Sequence, residues 1–154
     1  MIQRIQTIYL LVAAILMALS YAFDVLIGFT APQSKLYTQL SMFGATGQAH
    51  YSPTALQLIM PVAAGLAIAL QCWGIFAFSN LKRQARIVLL STCAIAVFYA
   101  QLAYEFFFMK QQLAGPILPY LGAVLPVVSL VFVVMAWRAI RRDYQLIRSV
   151  DRIR

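Results

Sequence analysis

Four long stretches almost free of charge, residues 7–29, 56–78, 87–109 and 117–140, constrain this chain more than any other feature. Each is close to the roughly 20 residues that cross about 30 Å of hydrocarbon at about 1.5 Å per residue. In lipid every backbone N–H and C=O must find its partner within the chain, which leaves only helices and closed barrels. Strands fit poorly, because spanning strands run about 9–11 residues with alternating faces, and these runs are apolar all round. Composition agrees: 63% of the 154 residues are hydrophobic and 10% are charged, where soluble domains carry about 25% charge. The expected fold is an all-α integral membrane protein, a four-transmembrane-helix bundle that forms a single domain over residues 1–154.

The residues between these stretches read as helix punctuation. Ser52-Pro53 offers an N-cap and a first-turn proline before the second stretch, "NLKRQAR" separates the second from the third, and Gly115-Pro116 separates the third from the fourth. Pro61 and Pro126 fall inside stretches, where a membrane helix kinks without ending. The residues 30–52 are then the longer external loop. A cleavable leader ending near Ser20-Tyr21-Ala22 is not expected, since the basic region before it is only Arg4 and the apolar run continues to Phe29.

Charge sets the expected orientation. Of the 12 Lys and Arg, ten lie on one side (Arg4, Lys82, Arg83, Arg86 and the six arginines of residues 138–154), and only Lys35 and Lys110 on the other. Short-loop Lys and Arg mark the cytoplasmic face, so both termini are expected inside. Trp137 beside Arg138 suits the cytoplasmic interface, and Tyr51, Tyr104 and Tyr120 suit the outer one.

The chemistry-bearing residues are few. Cys72 and Cys93 are the only cysteines, His50 is the only histidine, and it is expected on the opposite side from both thiols. Zinc sites draw four ligands from Cys, His and carboxylates, so no metal is expected and the thiols read as small apolar packers. The chain has no phosphate loop, no G-x-S-x-G, no HExxH and no C-x-x-C; no catalytic residue, enzymatic activity or cofactor is expected. Ionisable groups at membrane depth are costly and default to a functional reading. Asp24 is expected near the outer end of the first helix, and Gln101 and Glu105, spaced i and i+4, on one face near the outer end of the third. Together they would share a proton, hold a cation or meet Lys35 or Lys110; at the headgroup level they would simply be wet. Two small-residue stripes, Ala14-Ala18-Ala22 and Ala63-Ala67-Gln71, read as helix contacts, with the Gln71 amide as interhelical glue.

The chain closes on "RAIRRDYQLIRSVDRIR", residues 138–154. On a helix at 100° per residue, Ile140, Tyr144, Ile147 and Val150 share one side, and Arg138, Arg141, Arg148 and Arg152 gather on the other. This is an amphipathic, basic extension of the fourth helix, in which Asp151 lies three residues from Arg148 and from Arg154. It suits anionic lipid or an acidic protein surface; nucleic acid is not expected, as the stretch holds one aromatic residue and no recognition fold.

That ending, together with the opening "MIQRIQTIYLLVAAI", resembles the signature ends of a bacterial membrane family of the Bacteroides group, domain of unknown function 4293. The resemblance implies a four-helix inner-membrane protein and carries no activity with it. A claudin-like layout is rejected, because no Trp or Cys lies between Thr30 and Ser52. Aspartates interleaved with arginines suit a protein surface better than an anionic membrane, since paired charges set register and select partners. The expectation is a non-enzymatic inner-membrane subunit or scaffold. Its tail residues Arg138, Arg141, Arg142, Arg148, Asp151, Arg152 and Arg154 would dock a cytoplasmic or membrane protein. The alternative is a small carrier or a lipid- or ion-binding protein using Asp24, Gln101 and Glu105. Membrane lipids are expected partners in either case, and self-association is left open.

Overall fold

A computed structural model of the chain describes residues 5–31, 36–47, 55–77 and 80–151. It is mostly helical, with α1 (Ile5–Leu19), α2 (Ile59–Phe76), α3 (Leu81–Gln112) and α4 (Leu121–Asp151). All four helices, taken with the short 3-10 turns that adjoin α1 and α2, are long and apolar enough to cross a membrane. They pack antiparallel in cyclic order, α1 against α2 and α4, and α3 against α2 and α4. Leu10, Met17, Ala64, Ile95, Phe98 and Val133 are fully buried at the centre. The outward faces remain apolar, with Leu66, Leu90 and Val131 each more than half exposed, as a bundle bathed in hydrocarbon requires.

The first expected helix does not reach Phe29. α1 ends at Leu19, a 3-10 turn covers Ser20–Ala22, and Leu26–Phe29 forms a strand, β1. With β2 (Tyr37–Leu40), β3 (Ala45–Gly47) and β4 (Ile117–Pro119) it builds an antiparallel sheet in the order β3-β2-β1-β4. β1 is central: Leu26 faces Leu40 on β2 and Pro119 on β4. The sheet therefore joins the α1–α2 connection to the α3–α4 connection at one end of the bundle. Its inward residues, Leu26, Gly28, Thr38 and Leu40, alternate with half-buried or exposed neighbours, the period of a strand with one face on a core. Gly28 sits where a Cβ would meet Met109 and Leu113, so the sheet lies directly on the end of α3.

Other boundaries move for identifiable reasons. "LKRQAR" is the first turns of α3 rather than a loop. The break falls just before it, where Asn80 caps α3 by accepting the Arg83 N–H at 3.2 Å. Gln84 in the next turn donates to the Gly74 carbonyl at 2.9 Å, satisfying one of the carbonyls that the end of α2 leaves open. Residues 117–119 are β4 and not the start of the fourth helix, which begins at Leu121 and runs unbroken to Asp151 through Pro126. Pro61 falls in the first turn of α2, where a proline costs little. The cap expected at Ser52-Pro53 lies outside the described residues, as do Lys35, His50 and Tyr51.

Candidate functional site

Among the described residues, the end of the bundle opposite the sheet carries every Lys and Arg except Lys110, and its geometry starts from two polar side chains, one in the first turn of α1 and one in α4. Gln6 in the first turn of α1 is buried, and its Nε2 donates to an Oδ of Asp143 in α4. This bond joins the first turn of α1 to α4 near its described end, so these two helix ends lie side by side. On the other side of α4, the Lys82 ammonium lies 5.5 Å from the centre of the Tyr144 ring, within cation–π range. α4 is thus held by α1 through Asp143 and by α3 through Tyr144, three turns beyond the valine-rich part of its span. Both tryptophans lie at this end under arginines: Arg141 is 4.3 Å from the Trp137 ring centre and Arg83 is 5.6 Å from that of Trp73.

The expected tail residues divide accordingly. Arg138 and Arg142 are exposed and line a groove of about 550 Å³ between α1 and α4. Arg141 covers Trp137, and Arg148 is exposed beyond the two clamps. The side chain of Asp151 and the residues Arg152 and Arg154 lie outside the described residues. On the apolar side Ile140 is fully buried and Tyr144 is half-buried, while Ile147 is more than half exposed, as is Leu146 on the face that carries Arg138 and Arg142. The amphipathic face is therefore consumed by the bundle up to Tyr144 and uncovered after it. Asp143, which appeared in the sequence as a charge interleaved for a partner, is bonded within the chain.

At the sheet end the structure brings two of the three intramembrane candidates together. Glu105 is fully buried and accepts from Gln101 Nε2 at 3.2 Å, one turn away on α3. Asp24 is not on a helix. It stands in the turn before β1, where its backbone C=O accepts from Gly122 N–H at 2.9 Å and ties that turn to the start of α4. Its position differs from the one expected because α1 stops five residues earlier.

The small-residue stripes fare differently. Ala63, Ala67 and Gln71 are buried along α2 as expected, whereas Ala18 and Ala22 are exposed. α1 turns Leu10, Ala13, Ala14 and Met17 inward instead. Gln71 does bridge helices: its Nε2 donates to Ser129 Oγ of α4 over a long 3.5 Å, and Ser129 donates to the Ala13 carbonyl of α1 at 2.9 Å. Gln71 Oε1, Gln84 Oε1 and Ser91 Oγ are buried with no hydrogen-bond partner among the described residues. Cys72 is half-buried, Cys93 is exposed, and both are free thiols. Among the described residues no three His, Cys, Asp or Glu side chains group as metal ligands would.

Sequence reasoning missed the Gln6–Asp143 and Lys82–Tyr144 contacts. A signal for the first was present, since Gln6 directly precedes the first apolar stretch and Asp143 closely follows the last, which places both at the same end of an up-down bundle.

These features define the class, a four-helix bundle of membrane-spanning dimensions capped at one end by a small sheet and tied at the other by the Gln6–Asp143 and Lys82–Tyr144 contacts. The chain belongs to the family described as "Domain of unknown function (DUF4293)", which it matches over residues 2–153. No curated protein matches its sequence.

Proposed function

We propose that this is a non-enzymatic subunit or scaffold of the bacterial inner membrane, with both termini in the cytoplasm, and that the last turns of α4 dock a partner protein. One observation carries the reading. α4 is a single helix of 31 residues, about 46 Å long at about 1.5 Å per residue, and it outruns a hydrocarbon layer of about 30 Å. Beyond the clamps at Asp143 and Tyr144 it keeps Leu146 and Ile147 uncovered beside Arg148. Exposed apolar residues beside an arginine, on a helix tied to the bundle one turn earlier, suit an interface core with a polar rim. The rigidity matters because a preformed helix loses little entropy when it binds.

The experiment is photo-crosslinking in cells from a probe placed at Ile147, with a second probe at Leu118 on β4 as control. A discrete adduct to another polypeptide from position 147, absent from 118 and lost when Arg148→Glu is added, is expected. Adducts at 147 to lipid alone, or to a second copy of this chain alone, would overturn the docking reading.

A further inference from the structure

We propose that the groove between α1 and α4 at the basic end is a binding site for the phosphate of an anionic glycerophospholipid. The groove holds about 550 Å³ and carries two guanidinium groups, Arg138 and Arg142. The one carboxylate in its lining, Asp143, already accepts a hydrogen bond from Gln6. The other acidic residues of the chain are Asp24 and Glu105 at the sheet end and Asp151 two turns further along. The lining is therefore net positive, and arginine forks pair with phosphate oxygens through two parallel hydrogen bonds. Nothing soluble is needed to explain the remaining walls, which are apolar: Ile5, Tyr9, Met135 and Leu146.

The path for the acyl chains is written along α4. Val124, Val128, Val131, Met135, Arg138 and Arg142 follow one another at alternating spacings of four and three residues, and all six are exposed. Such a spacing keeps one face of a helix, with a drift of about 20° per seven residues. Val124 to Arg138 rises about 21 Å at about 1.5 Å per residue, enough to follow one leaflet of a layer about 30 Å thick. A lipid lying on this stripe has its tails on the valines and its phosphate between the arginines. A free phosphoester would use only the upper part, so the continuous apolar stripe favours the lipid. This inference shares only Leu146 with the docking surface and rests on Arg138 and Arg142, so it stands or falls separately from the docking of a partner at Ile147 and Arg148.

The test is native mass spectrometry of the full chain in mild detergent. Phosphatidylglycerol and phosphatidylcholine of identical acyl chains are compared. Wild type is expected to prefer phosphatidylglycerol by about tenfold or more. R138Q/R142Q is expected to abolish the preference, and R141Q/R148Q, which removes the same charge, to keep it. A139W fills the groove with both arginines intact, and it too is expected to lose the lipid. Glycerol phosphate should compete poorly. An undiminished preference in R138Q/R142Q or in A139W would overturn the site. An equal loss in R141Q/R148Q would reduce it to general attraction by the basic end. Displacement by glycerol phosphate as effective as by the lipid would assign the groove to a soluble phosphoester instead.

Discussion

At the scale of single residues, two amides hold two carboxylates, and burial separates their weights. Gln6 donates to Asp143, which is half-buried, and Gln101 donates to Glu105, which is fully buried. Losing one hydrogen bond costs a buried polar group more, within about 1–3 kcal/mol, than it costs a group that still reaches water. Gln101→Leu is therefore expected to destabilise the fold by about 2 kcal/mol and Gln6→Leu by about 1 kcal/mol, read from unfolding of the detergent-solubilised protein in rising sodium dodecyl sulfate. The pairing is checked by a cycle. If Gln6→Leu and Asp143→Leu simply add, the bond between the termini contributes nothing beyond its separate side chains.

At the scale of elements, the sheet depends on close backbone approach at the start of α4. A Cβ on Gly122 would lie 2.5 Å from the Asp24 carbonyl oxygen and 2.6 Å from that of Phe23. Both obstacles are backbone, and the Gly122 N–H is itself bonded to the Asp24 carbonyl, so neither side moves without breaking the junction of β1 and α4. Gly122→Val is expected to cost about 1–3 kcal/mol, the usual range of overpacking. Gly44→Ala, with nothing within 4 Å of its Cβ, should leave the unfolding midpoint where it is. Equal midpoints for the two variants would show that the turn at Asp24 adapts, contrary to the rigid junction. The same junction explains why Asp24 is set apart from the helical pair: the chain leaves α1 at Leu19 in order to enter the sheet, and Asp24 is carried with it.

At the scale of the whole molecule, orientation decides what the basic end can meet. Ten of the 12 Lys and Arg fall in the segments that the order of the spans assigns to one side, and the expectation that this side is cytoplasmic rests on the bias of short basic segments. In a background with Cys72 and Cys93 replaced by Ala, single cysteines at Gln39 on β2 and at Ser149 should part company. With the outer barrier of the cell opened, an impermeant thiol reagent should label position 39 and spare 149. Labelling of 149 from outside would invert the protein, and the partner and the lipid would then have to be sought on the other face.

What the sequence determined by itself is the existence of the four spans, their order, the basic end and the continuation of the last helix into an arginine-rich extension. These follow from quantities summed over some 20 residues, hydrocarbon length and charge bias, which no single contact outweighs. The strand Leu26–Phe29 was not legible, because a short apolar run has no period that separates strand from helix. Only its pairing with Tyr37–Leu40 and Ile117–Pro119, eight or more residues away, chooses between them. The site divides in the same way. Gln101 beside Glu105 could be read from their i, i+4 spacing, which is a property of one helix. The Gln6–Asp143 bond joins residues 137 positions apart, and the groove beside it exists only where α1 and α4 pack. Tertiary structure alone decided that the basic extension belongs to the bundle up to Tyr144 and to the surface over residues 145–148, because that boundary is set by which neighbours cover each side chain.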